Sequence, residues 1–197
     1  MPYGIYENGA VIAQFVVPMT LRSNQPVFAS DTLSLKRQTG RRTAQRWELE
    51  TRLEPLAVGA EKLMVNLIAN GVSETVNIIV PQNRGVVKRR TSNSTPTATA
   101  AVGATQIPVL NNVGLIPMGT FIRFANHSKI YMLKADLTGT GTMSIYPTLR
   151  TAVAGVSFAH RDDVIMPCLY DTDTVIGMTY EDGILMDAGT VKLIERL

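Results

Sequence analysis

The fold class is decided by the stretch Gly119-Thr-Phe-Ile-Arg-Phe-Ala-Asn-His-Ser-Lys-Ile-Tyr-Met-Leu133, which Gly141-Thr-Met-Ser-Ile-Tyr-Pro-Thr-Leu-Arg150 follows after a short gap. Both segments are rich in the aromatic and β-branched residues that favour strands. Between the strand-like runs lie Asn126–Ser128 and Thr138–Gly141, whose residues favour tight turns. The pattern therefore predicts three short strands of a small barrel or sandwich, with no residue that looks catalytic.

Composition sets wide limits on the rest of the molecule. A chain of 197 residues suits one large or two small domains and is long enough to bury a core without disulfides. The single cysteine, Cys168, excludes an internal disulfide framework and suits a reducing cytoplasm. Its apolar neighbours favour a buried, inert thiol. We expect no membrane span and no signal peptide, because no apolar run approaches about 20 residues and the N-terminus lacks a basic start.

Strand patterns also occupy much of the N-terminal half. An apolar stretch from Val11 to Val17 predicts a strand that ends at Pro18. Residues 27–53 alternate between apolar and polar side chains, which predicts a hairpin with a basic turn at Gln38–Arg42. A further strand is expected from Thr75 to Val80, and three more in the segment that follows Val164.

One helix is predicted, from Pro55 to Asn70. Six apolar side chains fall on a single stripe at helical spacing, namely Leu56, Ala60, Leu63, Met64, Leu67 and Ile68. Pro55 suits a first helical turn, and Gly71 suits a helix end. Trp47, the only tryptophan, is expected in the core against this stripe.

A polar run at residues 91–98 marks the predicted domain boundary, because it has little to bury. We thus expect a mainly β (α+β) protein of two small β-rich, barrel-like or sandwich-like domains. The first would cover residues 1–90 and contain the helix. The second would cover residues 99–197, with extended C-terminal strands.

The formal charge of +3 is unevenly distributed. Residues 1–98 hold 12 Lys and Arg against 7 Asp and Glu, whereas residues 99–197 hold 7 against 9. Such asymmetry favours head-to-tail contacts between identical subunits. Only Trp47 lies near a basic cluster, so the sequence does not favour nucleic acid, whose single-strand binders interleave aromatic and basic residues.

Candidate chemistry is sparse. His127 falls in a predicted turn, and His160 precedes Asp162 and Asp163 at a spacing that matches no metal site. The Asp171-Thr-Asp173 pattern lacks the glycine and the distal glutamate of a calcium loop. No nucleophile motif, phosphate-binding loop or zinc-protease motif occurs. We predict no enzyme activity, no metal and no cofactor.

Several short motifs occur in an order that resembles a known protein family. A basic hairpin, Gln45-Arg-Trp-Glu-Leu49 and Leu53-Glu-Pro55 come first, then Gly103-Ala-Thr-Gln-Ile107. Gly119-Thr-Phe-Ile-Arg-Phe124, Lys129-Ile-Tyr-Met-Leu133 and Ile145-Tyr-Pro-Thr-Leu-Arg150 close the series. Over about residues 30–150 this order resembles distal-tail and baseplate proteins of tailed bacteriophages.

The resemblance implies a non-enzymatic virion protein, made in the host cytoplasm. It would form a homo-oligomeric ring, a trimer or a hexamer, around the end of the tail tube and bind neighbouring tail and baseplate proteins. The family has no catalytic residues that could be assigned to positions of this sequence. The polar run at 91–98 and the acidic C-terminal segment depart from the pattern, which leaves the position within the tail open.

Charged residues are the expected contact points. On the basic side we predict Arg41, Arg42, Arg46, Lys88, Arg89 and Arg90, and on the acidic side Asp171 and Asp173. The alternative function is a small β-barrel module that binds glycan or nucleic acid. Its exposed aromatic patch would have to come from Tyr131, Tyr146 and Phe158, although aromatic residues at strand positions usually belong to the core.

Overall fold

Two closed six-stranded antiparallel barrels dominate the structure. The computed structural model describes residues 3–7, 9–31, 37–41, 44–56, 62, 75–171, 179–182, 184–187 and 189–197. Within these residues, strands account for most of the regular structure, and the complete helix is one short segment. The predicted mainly β class with two small β-rich units is confirmed.

The first barrel is assembled from strands in two distant parts of the sequence, between residues 4 and 79 and between residues 165 and 195. In barrel order its strands are β1 (Gly4–Glu7), β2 (Ala10–Asn24), β5 (Arg46–Pro55), β18 (Thr190–Glu195), β15 (Ile165–Tyr170) and β6 (Val76–Ile79). Strand β5 shows why these residues form a barrel wall. Trp47, Leu49, Thr51 and Leu53 are buried, while the residues between them face outward, as a half-buried strand requires.

The second barrel is one continuous segment. In barrel order its strands are β10 (Phe121–Phe124), β11 (Ile130–Leu133), β13 (Gly141–Tyr146), β8 (Gln106–Leu110), β7 (Thr97–Ala100) and β14 (Val153–Ala159). The three strands predicted from the opening stretch are β10, β11 and β13. A small sheet of β9 (Leu115–Ile116) and β12 (Leu137–Thr138) lies within the same segment.

The C-terminal strands do not belong to the domain in which the sequence placed them. A boundary at residues 91–98 leaves β15 and β18 in the second unit, but both complete the first barrel. Strand β15 pairs with β6, and β18 pairs with β5. Closing the barrel in this way removes its open strand edges, which sequence order alone does not reveal.

The predicted helix at about 55–70 lies almost wholly outside the described residues. Pro55 is the last residue of β5 and does not begin a helix, and of residues 57–74 only Lys62 is described, in helical conformation. A helix that the sequence did not predict, α1, spans Arg84–Arg89. The Asn83 side chain caps it by accepting a hydrogen bond from the Gly85 backbone N–H at 2.7 Å.

Two further sheets are hairpins. Strands β3 (Val27–Asp31) and β4 (Arg37–Arg41) pair only with each other among the described residues. Gln38–Arg41, predicted as a turn, therefore lie in a strand, and the connection at 32–36 lies outside the described residues. Strand β2 also continues past Pro18 to Asn24. Near the C-terminus, β16 (Thr179–Glu181) and β17 (Ile184–Asp187) pair antiparallel.

Candidate functional site

A buried ionic network joins the two barrels. Glu195, on the last strand of the first barrel, forms an ion pair with Lys129, the residue directly before β11. Their side chains are 0% and 3% exposed. The Glu195 carboxylate also accepts hydrogen bonds from the backbone N–H groups of Ile130 (2.8 Å) and Trp47 (3.0 Å).

The ammonium group of Lys129 is also fully hydrogen-bonded. Lys129 Nζ donates to the backbone oxygen of Gln45 at 3.1 Å and to its side-chain Oε1 at 2.6 Å. Burial lowers the pKa of Lys129, and the charge of Glu195 opposes that shift. A buried ion pair of this kind requires accurate geometry, because each charge has lost its hydration. The network therefore holds the barrels in one relative position.

Trp47 reinforces the same junction. Its Nε1–H donates to the Ile130 carbonyl oxygen at 3.0 Å. Its ring makes edge contacts with Phe121 and Tyr146 of the second barrel, at centroid distances of 5.2 and 6.2 Å. Trp47 is only 5% exposed, which confirms the predicted burial. The predicted contact with the helix stripe lies outside the described residues.

An open groove of about 870 Å³ runs beside Trp47 between the barrels. One wall is strand β2, which contributes Phe15, Val17, Met19 and Leu21. The second barrel contributes Phe121, Met132 and Tyr146 to the other wall, and residues 81–84 at the start of α1 add Pro81, Gln82, Asn83 and Arg84. The first barrel and its N-terminal segment also contribute Tyr3, Gln14, Ser23 and Trp47.

Most polar groups of the groove already have partners in the chain. Gln82 uses both ends of its amide on the Phe121 backbone, at 3.0 and 3.1 Å. The Tyr146 hydroxyl bonds to Ser23 and Gln25, and the Tyr3 hydroxyl donates to the Gln82 carbonyl oxygen.

The chemistry of the groove thus suits apolar side chains. A sugar needs several polar groups to bond with, and nucleic acid needs cations for its phosphates. Among the described residues that line the groove, Arg84 is the only charged one. Trp47 offers no open face for base stacking, because its side chain is buried.

Where the structure describes them, the predicted basic contact residues lie in different surroundings. Arg46 pairs with Glu48 at 2.8 Å, and Arg89 pairs with Asp136 across the α1–second barrel contact. Lys88 is exposed on the last turn of α1, where a cation suits the helix dipole. Arg90 is half-buried, and burial lowers its pKa.

On the acidic side, Asp171 lies in a small crevice with Arg22, Glu48, Glu50 and Lys192, so charges of both signs line it. Arg41 lies at the end of β4, with no described side chain, and both Arg42 and Asp173 lie outside the described residues.

The two histidines occupy separate places. His127 contacts the Tyr131 hydroxyl through Nε2 at 2.9 Å and Asn126 through Nδ1 at 2.8 Å. His160 is buried after β14, beside Phe158. Burial lowers the pKa of both rings. Within the part of the chain that the structure describes, no group of three or more His, Cys, Asp or Glu residues could hold a metal ion.

Other candidates from the sequence belong to the core. Cys168 is fully buried, as predicted, and burial raises the pKa of its thiol. Tyr131 and Phe158 are buried in the second barrel, whereas Tyr146 is half-buried in the groove wall. These aromatic residues form no exposed patch.

Sequence reasoning missed the groove because it ended β2 at Pro18. The alternation of Val17, Met19 and Leu21 with polar residues continues to Arg22, and this pattern could have indicated a longer strand. The ionic network had no such signal, since Lys129 and Glu195 are far apart in sequence.

Comparison with protein-family models and with curated proteins gave no match to the chain. Among the described residues, no helix has the length and apolar character needed to cross a membrane.

Proposed function

We propose that this chain is a non-enzymatic structural subunit of a bacteriophage tail, at the baseplate or the tail tip. It would oligomerise around the end of the tail tube, connect the tube to neighbouring baseplate proteins and reside in the virion. The hairpin of β3 and β4 carries this proposal.

This hairpin has the character of an assembly arm. All described side chains of β3 are exposed, and they include Val27 and Phe28 at 53% and 56% exposure. Two-stranded hairpins are marginal in water by themselves, and exposed strand edges invite pairing with another chain. An element of this kind has a physical reason to exist when a neighbouring subunit covers it.

The junction between the barrels supports the same function. A tail component transmits force between its neighbours and benefits from a rigid body. The buried pair of Lys129 and Glu195, together with Trp47, supplies a rigid connection between the barrels. The open apolar groove adds a surface suited to protein side chains.

Negative-stain electron microscopy of the purified chain at several concentrations is the direct test. We expect rings or short stacked tubes. In addition, an antibody against the chain should label one end of the tail in phage particles purified from cells that produce it. Monomers without any such labelling would contradict the proposal.

The alternative, a module that binds glycan or nucleic acid, predicts a different result. The chain would then stay monomeric and bind a labelled oligosaccharide or single-stranded oligonucleotide in a fluorescence polarisation assay. The bonded polar groups of the groove and the presence of one cation, Arg84, among its described lining residues argue against this alternative.

A further inference from the structure

We infer that the groove between the barrels receives one extended strand of another protein, which pairs with an open edge of β2. This inference deepens the proposed function, on which it rests, because the donor of the strand would be a neighbouring tail protein. The strand would carry apolar side chains at alternate positions and a carboxylate at one end. Addition of a peptide strand to the free edge of a sheet is a common mode of protein recognition.

The second half of β2 has a partner strand on one side only. Strand β2 is 15 residues long, whereas β1, which closes the barrel against it, has four. Strand β1 pairs with residues 10–14 of β2, and β5 pairs with β2 as far as Asn24. Within the described ranges, no strand pairs with residues 17–24 on the side away from β5. This part of β2 is therefore a free edge.

The alternation of backbone hydrogen bonds shows which groups face the free edge. The Leu53 N–H donates to a carbonyl oxygen just before β18, so the odd-numbered residues of β5 face β18 and the even-numbered ones face β2. Thr20 lies opposite Glu50 and hence directs its N–H and C=O groups to β5. Its neighbours Met19 and Leu21 direct theirs the other way, where an added strand would accept and donate.

The groove lies against this edge and has room for one strand. Val17, Met19 and Leu21 line it on the β2 side, and Phe121 and Met132 line it on the side of the second barrel. An extended strand of five residues is about 17 Å long, about 5 Å wide and about 10 Å thick, or roughly 800 Å³. The volume of the groove is about 870 Å³, so it accommodates a single strand and not a hairpin.

The lining indicates the chemistry of the incoming strand. Alternate side chains of the strand would point to the same face, towards Leu21 and Phe121, and should be apolar. Among the described residues that line the groove, Arg84 is the only charged one, and it forms no ion pair with another described residue. A carboxylate at the end of the strand near Arg84 would complement this cation.

The donor of the strand is assigned to a different protein and not to a second copy of the chain. Every described strand is already paired within its own sheet. A second copy would therefore have to open one of its sheets to offer any strand of the described part of the chain. A segment of another protein that is extended before it binds needs no such rearrangement.

Hydrogen exchange of single amides, followed by NMR on the full chain, tests whether the edge is free. We expect the Met19 and Leu21 amides to exchange at least about 100-fold faster than the Thr20 amide, because only Thr20 is bonded to β5. Thr20 thus serves as the internal control. Equally slow exchange at all three positions would show that the edge is already covered and would overturn the inference.

Synthetic peptides test the added strand. The probes are fluorescein-labelled hexapeptides that alternate Val, Ile, Leu or Phe with Thr and carry Asp at either end. In fluorescence polarisation we expect members of this set to bind the chain with micromolar affinity. The best binder should also slow exchange of the Met19 and Leu21 amides.

Methylation of peptide nitrogens supplies the matched control for backbone pairing. Methylating the alternate set of amides that faces β2 removes the donors and should weaken binding about tenfold or more, whereas methylating the other set should have a much smaller effect. If no peptide binds, or if both methylated forms bind like the parent, the inference is wrong.

Variants of the chain test the two walls and the charge. Val17→Lys, at a groove position that is 75% exposed, should weaken peptide binding about tenfold. Leu110→Lys is the control, since Leu110 is 58% exposed on β8 and should leave binding unchanged. Arg84→Glu should shift the preference from peptides that end in Asp to those that end in Lys. Unchanged thermal melting will show that each fold is intact, and wild-type binding by Val17→Lys would contradict the assignment.

The remaining outcomes separate this inference from the proposed function. Self-association of the chain that the peptide blocks would assign the strand to a second copy and so overturn the inference. Antibody labelling of phage tails without peptide binding would overturn the inference alone. Peptide binding by a chain that is absent from phage tails would overturn the proposed function, and with it the tail protein as donor, while the free edge of β2 would stand.

Discussion

The two barrels differ in how the chain builds them. The second barrel uses one continuous segment, Thr97–Ala159, whereas the first collects strands from both sides of that segment. The second barrel is thus inserted into the first. The last strand of the first barrel, β18, is also the strand that carries Glu195 into the junction.

This difference indicates that closure of the first barrel is coupled to packing of the second barrel against it. Strand β18 pairs with β5 over Thr190–Ile194, and Glu195 follows directly with its bonds to Lys129, Ile130 and Trp47. The core of the first barrel even includes Ile130 from the second. We expect the molecule to unfold as one cooperative unit as long as these contacts are intact.

The largest expected effect comes from breaking the ionic network. Glu195→Ala leaves Lys129 buried and unpaired, which should reduce the free energy of unfolding by about 3–5 kcal/mol. Chemical denaturation, followed by tryptophan fluorescence and circular dichroism, measures this loss. Separate transitions by the two methods would show that the barrels have become uncoupled.

Two control variants sharpen this test. Glu50→Ala removes the exposed pair with Arg22, whose side chains are 38% and 65% exposed, and should change stability by no more than about 1 kcal/mol. The double variant Lys129→Met/Glu195→Leu removes both charges and should recover only part of the loss, because the backbone N–H groups of Ile130 and Trp47 still lack their acceptor. Equal losses for Glu195→Ala and Glu50→Ala would refute the role assigned to the network.

A smaller effect is expected from the aromatic side of the junction. Trp47→Ala should destabilise the protein by about 3 kcal/mol, at the low end for a buried tryptophan, because the adjoining groove lets the site relax. Thermal unfolding by circular dichroism measures it. Phe28→Ala replaces an exposed aromatic residue and should melt close to wild type. A Trp47→Ala variant that also melted like wild type would contradict the role of Trp47 at the junction.

The smallest effect concerns pH. Burial lowers the pKa of His127 and His160 in the folded state, with Arg123 adding to the shift of the first and Arg90 and Arg161 to that of the second, where Asp163 opposes it. The unfolded state therefore binds protons more readily. Stability should be highest above the unfolded pKa of about 6.5 and should fall as the pH drops from there towards the lowered folded pKa values.

Denaturation at a series of pH values between about 7.5 and 5.5 measures this trend above the main range of carboxylate titration. The double variant His127→Gln/His160→Gln should show a flatter profile than wild type. A wild-type profile that rises towards acid pH would contradict the assigned shifts.

The second barrel was largely predictable from sequence, since its strands are local. Phe121–Phe124, Ile130–Leu133 and Gly141–Tyr146 are short β-branched and aromatic runs between turn residues, and neighbouring runs pair along the chain. The first barrel was not predictable in this way, because β15 and β18 pair with strands that are far away in sequence. Short-range patterns identify a strand but not which distant edge it will pair with.

By itself, the sequence determined the mainly β class, the burial of Trp47 and Cys168 and several strands, because period-two alternation and turn residues act locally. Tertiary structure alone decided the insertion of one barrel in the other, the Lys129–Glu195 pair and the apolar groove. The physical reason is distance along the chain. These features arise from residues that meet only once both barrels have closed.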